Sequence, residues 1–176
     1  MSFSLVKLKK KLEEKNKQDL TQEILLLCKL FPQVKEYYQT QTSDSQLILE
    51  RYKDIIEKEF VDGKARGGPK ARLGVAKKAI QDFSKLTKEP TLIADLMLTF
   101  VECVSNFNAD FGPDVEAYYT SPEGMFEKVL IFIKKNDLLA KFEARAYSIV
   151  DKATDSWGHF DSLCESYEEV YGEFSR

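Results

Sequence analysis

The spacing of the apolar residues constrains the fold of this chain more than any other feature. Apolar side chains recur every three or four residues along almost the whole sequence, as they do on one face of an α-helix. No segment shows the strict alternation of a half-buried strand. The sequence therefore predicts an all-α fold of seven to nine helices. In the segment 45–60, for example, the predicted buried side consists of Ile48, Tyr52, Ile55, Ile56 and Phe60.

Proline, glycine and polar turn residues divide the predicted helices. Because the connections are short, the helices are expected to form an antiparallel stack, α-solenoid-like and with repeat-like helix pairs. Pro90 begins a helix with apolar residues on nearly two faces, so that helix is expected to lie at the centre of the fold. Pro69 is expected to begin the helix before it. A short helix at 115–119 and a separate helix that begins at Ser121-Pro122 are also predicted.

Length and composition predict a single helical domain over residues 1–176, with a flexible basic Gly-rich connection at 62–69. A chain of 176 residues, 43% of them hydrophobic, is long enough for one core. The N-terminus lacks the apolar segment of a signal peptide, and no apolar run reaches the roughly 20 residues that span a bilayer. We therefore expect a cytoplasmic protein without membrane contact. Three distant cysteines, Cys28, Cys103 and Cys164, are expected to be reduced thiols.

The charge of the chain is unevenly distributed between its halves. Residues 1–88 carry 19 Lys and Arg against 12 Asp and Glu, a net charge of +7, whereas residues 89–176 carry 7 against 17, a net charge of −10. This asymmetry suits two halves that attract each other, within the fold or between copies. It also suits a basic surface that binds nucleic acid or another polyanion. The sequence leaves both interpretations open.

The basic segment between Gly63 and Lys78 contains six Lys and Arg and no carboxylate. It does not form a Walker loop, because Pro69 stands where the phosphate-binding Lys is needed and Lys70 stands where Ser or Thr would bind magnesium. On a helix that starts at Pro69, the lysines up to Lys88 form a stripe opposite the apolar face. That stripe is either a solvated face or a surface for anions or nucleic acid. Its candidate contacts are Lys64, Arg66, Lys70, Lys77, Lys78 and Lys85.

The only histidine, His159, lies in the sequence DSWGHFD. A helical di-metal site needs Glu-x-x-His pairs and a hydrolase needs a nucleophile at a recognisable motif, and the sequence contains neither. The segment is therefore interpreted as a structural turn, with a metal site of Asp155, His159 and Cys164 as the weaker alternative. Trp157 is expected to be a buried packing anchor, and His159 a hydrogen-bonded turn residue whose loss costs little stability. No cofactor, metal ion or catalytic residue is predicted.

Four segments carry a resemblance to a known family: PKARLGVAKKAIQDFSKL, IADLMLTFVECV, SPEGMFEKVLIFIKKNDL and WGHFDSL. In their order along the chain, they make the sequence resemble a family of small bacterial proteins catalogued only as a domain of unknown function. The likeness is clearest from Pro69 to Leu163, and the N-terminal 60 residues match only in helical and Lys-rich character. The resemblance implies an all-helical bacterial cytosolic protein and implies no activity.

The predicted function follows from a helical core without a set of catalytic residues. The chain is expected to be a non-enzymatic protein-binding or scaffold module, which binds another protein through a groove or face between its helices. Neighbouring residues on a helix point about 100° apart, so one tyrosine of each adjacent pair is expected at such a groove. The alternative is nucleic-acid or other polyanion binding through the basic stripe from Lys64 to Lys88. The candidate groove aromatics are Tyr37, Tyr38, Tyr118 and Tyr119.

Overall fold

The structure is a computed structural model that describes residues 4–41, 45–61 and 68–175. Within these ranges the chain forms nine α-helices, one short 3-10 helix and no strand. The all-α prediction is confirmed. The helices are α1 (Leu5–Glu13), α2 (Lys17–Leu30), α3 (Pro32–Thr40), α4 (Ser45–Phe60), α5 (Leu73–Leu86), α6 (Pro90–Phe111), α7 (Ala117–Lys135), α8 (Leu139–Asp151) and α9 (His159–Tyr171), and the 3-10 helix is Ser156–Gly158.

The helix that begins at Pro90, α6, is the centre of the fold, as the sequence predicted. It packs against α4 and α5 and also against α7 and α8. Leu96 and Leu98 show the consequence, because both are fully buried although they are two residues apart and point to nearly opposite sides of the helix. α3 contacts α4 and α5, and α9 contacts α7 and α8. The three helices before α6 in the chain, α3 to α5, therefore pack together, and so do the three after it, α7 to α9. Both groups contact α6.

The length and composition of α6 also satisfy the requirements of a membrane span. It is the one helix in the described part of the chain that does so, with 22 residues, and 67% of its most apolar 18-residue window is buried inside the fold. A buried core helix passes the same test. The length and composition of α6 are therefore only weak evidence that this helix crosses a membrane.

Several helix ends confirm the breaks that the sequence predicted. Pro32 is the first residue of α3 and Pro90 the first of α6, where the missing N–H would have had no helical partner. Gly112 ends α6 with a left-handed backbone, φ 51° and ψ 53°, and its N–H donates to the carbonyl of Asn108 over 3.0 Å. Glycine adopts this conformation without the penalty that a Cβ atom brings.

The start of α5 differs from the prediction, because the helix begins at Leu73 and not at Pro69. Ala71 has a left-handed backbone with φ 49°. Its N–H donates to the carbonyl of Glu59 in α4 over 2.7 Å, and its carbonyl accepts a hydrogen bond from the Tyr118 hydroxyl over 3.0 Å. These two bonds hold Ala71 away from the helical path, so Pro69 lies in the coil that precedes α5.

α7 is one continuous helix across Pro122, where the sequence predicted two helices. Proline has no N–H, so the carbonyl four residues earlier, that of Tyr118, loses its helical partner. The side-chain amide of Asn108 in α6 donates to that carbonyl over 2.8 Å. Because a side chain from another helix supplies the missing bond, α7 continues through the proline.

The first two helices differ from the rest, because neither α1 nor α2 contains a buried residue. The cluster of buried apolar residues extends from Ile48 to Tyr167 and leaves both helices outside it. We call α1, α2 and Phe31 the N-terminal arm. Of the flexible connection predicted at 62–69, only the last two residues are described. The single domain and the repeat-like helix pairs stay predictions.

Candidate interaction surfaces

The predicted basic stripe is divided between α5 and the segments on either side of it. Lys70 precedes α5 and Lys88 follows it, and both are exposed. Lys77 lies on α5, where its Nζ donates to Oγ of Ser121 in α7 over 2.9 Å. Of the other candidate contacts, Lys78 and Lys85 lie on α5 and are exposed, and Lys64 and Arg66 lie outside the described residues.

Asp82 interrupts the positive charge of the stripe. Its carboxylate pairs with Nζ of Lys78 and, over 3.3 Å, with Nζ of Lys85. The hydrogen bond from Lys78 holds the pKa of Asp82 below its usual value, against the opposing effect of partial burial, and Lys85 adds to this. The pairing was readable from the sequence, because a residue four after one lysine and three before another lies beside both on a helix.

The acidic C-terminal helix does not cover these lysines. α9 packs against α7 and α8, whereas α5 packs against α3, α4 and α6. The side chains of Lys78 and Lys85 are 70% and 74% exposed. The opposite charges of the two halves of the chain therefore leave this face of α5 accessible.

The second tyrosine pair lies largely within the fold. Tyr119 is buried, with 2% of its surface exposed. Tyr118 is half-buried, and it packs on Phe107 and donates its hydroxyl hydrogen to the carbonyl of Ala71. Both side chains therefore contribute to the packing of α7, and the hydroxyl of Tyr118 also positions the segment before α5.

The first tyrosine pair lies at the surface. Tyr37 and Tyr38 are 44% and 39% exposed on α3, and their rings meet edge to face with centroids 5.3 Å apart. Tyr37 also borders a surface groove together with Lys85 and Lys88. We call this the α3–α5 groove. It is the place where a candidate aromatic and the end of the basic stripe come together.

Arg72 anchors the end of the basic segment to α4. Its Nε and Nη2 donate to the two carboxylate oxygens of Glu59 over 2.8 and 2.6 Å. Glu59 is buried, and the hydrogen bonds from Arg72 hold its pKa below the usual value although burial opposes this. Such bidentate pairing fixes orientation as well as distance.

Replacement of Arg72 by Met is expected to destabilise the protein at neutral pH, because the buried carboxylate of Glu59 loses its partner. The folded pKa of Glu59 lies below the unfolded one, so this stabilisation is complete above the unfolded pKa and is lost as the pH falls through the folded pKa. Urea denaturation from about pH 7 down to about pH 3 measures the effect. The stability difference between Arg72→Met and wild type should shrink with acid, and a constant difference would contradict the assignment.

Trp157 has the opposite environment to the one that the sequence predicted. His159 is fully buried and Trp157 is 57% exposed, so the expectation of a buried indole is wrong, and the burial of His159 favours a larger stability cost for its loss than the sequence indicated. Trp157 has a left-handed backbone, φ 57°, and its ring lies outside, stacked on Tyr119. His159 faces inward at the start of α9. Its Nδ1 lies 2.8 Å from Oε1 of Glu123 in α7, and its Nε2 lies 3.0 Å from Oγ of Ser105 in α6.

The arrangement of Ser105, His159 and Glu123 has the order of groups found in some hydrolases, but its surroundings are those of a structural link. Ser105 is 4% exposed and lies within α6. The backbone N–H groups around it donate along the helix, so they are not available as an oxyanion hole. The three side chains instead connect α6, α7 and α9. Among the described residues, no group of three or more His, Cys, Asp and Glu could hold a metal ion.

Arg145 of α8 forms a charged network with α6. Its Nη1 donates to Oδ1 and to the backbone carbonyl of Asp95, over 2.6 and 3.3 Å. Its Nη2 donates to Oε2 of Glu102 and to Oγ1 of Thr99, over 2.6 and 2.9 Å, and its Nε donates to Oε1 of Glu102 over 2.8 Å. Burial opposes the charge of the guanidinium, but the bonds to Glu102 and Asp95 outweigh it and raise the pKa of Arg145.

A pocket of about 410 Å³ beside this network is lined mainly by charged and polar side chains. The guanidinium of Arg145 has five N–H donors, and its five hydrogen bonds to α6 use them, so it offers none to an anionic ligand. Burial raises the pKa of Cys103 in the same pocket to about 12, so this thiol stays protonated and unreactive at neutral pH. The network therefore acts as a link between α6 and α8.

The N-terminal arm carries the largest set of exposed apolar side chains in the described part of the chain. Leu25, Leu26 and Leu30 are 55%, 53% and 60% exposed. They belong to the run Ile24–Phe31, in which Lys29 is the one residue that is not apolar. A helix that is apolar on all sides is normally buried, and exposed apolar patches mark interaction sites. The other exposed apolar residues of the arm are Leu5, Val6, Leu8, Leu27 and Phe31.

Comparison with protein families identifies the chain. A family model described as a family of unknown function, DUF6155, matches residues 3–175. The chain belongs to this family. Comparisons with curated proteins and with solved structures gave no match. The resemblance seen in the sequence is confirmed, and the DUF6155 match extends beyond Pro69–Leu163 to include the N-terminal arm.

Sequence reasoning missed the exposed leucines of the DUF6155 arm, although a signal was present. The run Ile24–Phe31 has apolar residues on every side of the helix, which is more than a helix packed on one face requires. No comparable signal indicated the partners of Arg145, His159 or Asn108. Their partners lie in other helices, and a single sequence does not show which helices pack together.

Proposed function

We propose that this DUF6155 protein is a non-enzymatic protein-binding module, and that the N-terminal arm is its binding surface. The exposure of Leu25, Leu26 and Leu30 on α2 carries the proposal. Covering one leucine side chain completely is worth roughly 1.5 to 3 kcal/mol, so a partner that covers this helix gains a large driving force. Interfaces of this kind have an apolar centre and a polar rim, and Lys9 and Glu13 border the groove that Leu20 forms with the leucines of α1.

The polar groups inside the fold support a binding role better than a catalytic one. His159 is fully buried, and both of its ring nitrogens lie within hydrogen-bond distance of side chains from other helices. The guanidinium of Arg145 is saturated by α6. Both clusters hold helices together through His159 and Arg145.

Photo-crosslinking from Leu30 tests this proposal. The full chain carries a photoreactive aromatic amino acid at position 30, and the matched control carries it at Ile131, which is 57% exposed on α7. Both are irradiated in native cells, and the adducts are identified by mass spectrometry. We expect a defined protein adduct from position 30 and little from position 131. Equal adducts from the two positions, or none from position 30, would contradict the proposal.

A second candidate function is the binding of nucleic acid or another polyanion by the basic stripe. The α3–α5 groove favours it, because the exposed ring of Tyr37 lies there beside Lys85 and Lys88. Aromatic rings that stack on bases and lysines that contact phosphates are the usual elements of single-strand binding. Asp82 argues against it, because this carboxylate neutralises part of the charge on α5.

A fourfold variant tests the polyanion alternative. If that function is correct, replacement of Lys70, Lys77, Lys78 and Lys85 by Gln should weaken binding to single-stranded nucleic acid and flatten its salt dependence. Each lost phosphate contact lowers the slope of log affinity against log salt concentration by about one. The matched control replaces four other exposed lysines and should keep the wild-type slope. Absence of binding by wild type at low salt, or equal slopes for all three proteins, would exclude this function. The control lysines are Lys128, Lys134, Lys135 and Lys141.

A further inference from the structure

We propose that the partner of the N-terminal arm is a second copy of this chain, so that the exposed leucines of α2 pack against the same leucines of the other copy about a twofold axis. This inference rests on the proposed function and names the partner. Closed twofold dimers are the commonest assemblies of soluble proteins, and their interfaces use the same patch on both subunits. The interface must therefore be self-complementary in shape, polarity and charge.

The amount of uncovered apolar surface on α2 is the first argument. Within one copy, α2 packs against α3, and Leu20 borders a groove of about 470 Å³ with the leucines of α1. These contacts leave Leu26 and Leu30, which lie on one side of the helix, more than half exposed. Because no residue of α2 is buried, a second layer of apolar contacts is needed to give this helix the environment that its sequence suits.

The rest of the described surface carries fewer and more scattered exposed apolar side chains than the arm does, which is the second argument. The acidic groove between α7 and α9 is lined by Glu123, Glu127, Glu165 and Glu169 together with glycine and serine, so leucines would gain little there. The exposed apolar residues outside the arm are spread over α3, α4, α6, α7, the 3-10 helix and the connections between helices, and two of them, Val61 and Phe111, border a smaller groove of about 320 Å³. Because the arm carries the largest set of exposed apolar side chains described, it is the best apolar complement to the arm of another copy.

The charges on α2 support an antiparallel pair. Lys17, Asp19 and Glu23 in its first half have a net charge of −1, and Lys29 lies near its end. An antiparallel arrangement directs the acidic half of each α2 towards the basic end of the other, whereas a parallel arrangement places like charges side by side. The antiparallel arrangement is also the one that a twofold axis perpendicular to the helices generates.

The size of the arm matches what a stable dimer needs. Standard interfaces bury about 800 Å² per partner and involve about 20 to 30 residues on each side. α1 has 9 residues and α2 has 14, and both helices lie outside the buried core. Because α2 already packs one side against α3, the exposed sides of the two helices supply an interface at the lower end of this size, and the remaining helices keep their own core intact.

Sedimentation velocity on the purified full chain tests the inference. We expect a dimer over the micromolar range. The variant Leu26→Gln with Leu30→Gln should raise the dimer dissociation constant by about 100-fold or more, because both apolar side chains are lost from both copies. Gln has nearly the same helix propensity as Leu, so circular dichroism should be unchanged. The matched control is Leu47→Gln with Ile131→Gln, at positions 63% and 57% exposed, and it should remain a dimer.

Three results would overturn the second copy as partner: a monomeric wild type, an arm variant that stays dimeric, or a control that dissociates as readily as the arm variant. Crosslinking of a mixture of isotope-labelled and unlabelled chains from position 30 gives a second readout that needs no destabilising change. Adducts that join a labelled to an unlabelled chain through the two arms support the inference.

The same experiments separate this inference from the proposed function. A monomer that crosslinks from position 30 to one other protein overturns the dimer and leaves protein binding intact. A monomer without any adduct overturns both. A monomer that sediments with vesicles of anionic lipid, through the leucines and lysines of the arm, also overturns both and indicates a lipid surface as the occupant.

Discussion

Replacement of Arg145 by Ala is expected to lower the free energy of unfolding by roughly 3 kcal/mol, because it leaves the carboxylates of Asp95 and Glu102 without their shared counter-charge. This value is at the lower end of the range for removing one partner of a buried ion pair, because the side chains of Asp95 and Glu102 are 22% and 33% exposed. Lys53 retains its ion pair with Asp95 and limits the loss further. The total free energy of unfolding of a single domain is about 5 to 15 kcal/mol, so the effect is large.

Urea denaturation at neutral pH measures this loss, with Arg51→Ala as the matched control. Arg51 pairs with Glu36 over 2.8 Å, but its side chain is 56% exposed, so its removal should cost less than about 1 kcal/mol. Arg145→Lys should recover only part of the stability, because an ammonium cannot form the two forked pairs of the guanidinium. If Arg145→Ala proved no more harmful than Arg51→Ala, the network would not link α6 and α8 as described.

The second large effect is expected for His159→Ala, which should cost roughly 2 to 4 kcal/mol. The change leaves a cavity at a fully buried position and removes the partner of Ser105 and Glu123 at the junction of α6, α7 and α9. Trp157→Ala should cost less than about 1.5 kcal/mol, because the indole is mostly exposed and loses mainly its stacking contact with Tyr119.

Thermal and urea unfolding of both variants check this order. His159→Phe separates the two contributions at the buried position, because it restores apolar volume without restoring the hydrogen bonds. It should remain clearly less stable than wild type if the bonds to Ser105 and Glu123 matter. A larger loss in Trp157→Ala than in His159→Ala would mean that the turn before α9 is not built as described.

Features of this fold that depend on interactions within one helix were predictable from the sequence, and features that depend on contacts between helices were not. On α4, Ile48, Ile56 and Phe60 are buried as predicted, because they recur at helical intervals. Ile55, which was predicted on the same side, is 40% exposed. The break at Pro122 was predicted wrongly, because the bond that compensates for it comes from Asn108 in another helix. Local rules describe what a proline removes, and they contain no information on what a neighbouring helix supplies.

The candidate interaction surfaces divide in the same way, into features set within one helix and features set by contacts between helices. The lysines of α5 and their interruption by Asp82 both follow from helical spacing, because Asp82 lies four residues after Lys78 and three before Lys85. That Trp157 lies outside and His159 inside could not be predicted. Residue type favours burial of the larger apolar ring, and the left-handed turn at Trp157 reverses this preference.

The sequence by itself determined the helical class, most of the helix ends and the apolar faces, because these depend on backbone chemistry and on periodicity within one segment. Tertiary structure alone decided which polar side chains of different helices meet. Arg145 bonds with Asp95 across 50 residues of sequence, and Ser105 with His159 across 54. It also decided that the leucines of the N-terminal arm stay exposed. Helical spacing shows that a face is apolar, but only the packing of the other helices shows whether that face is covered within one copy of the chain.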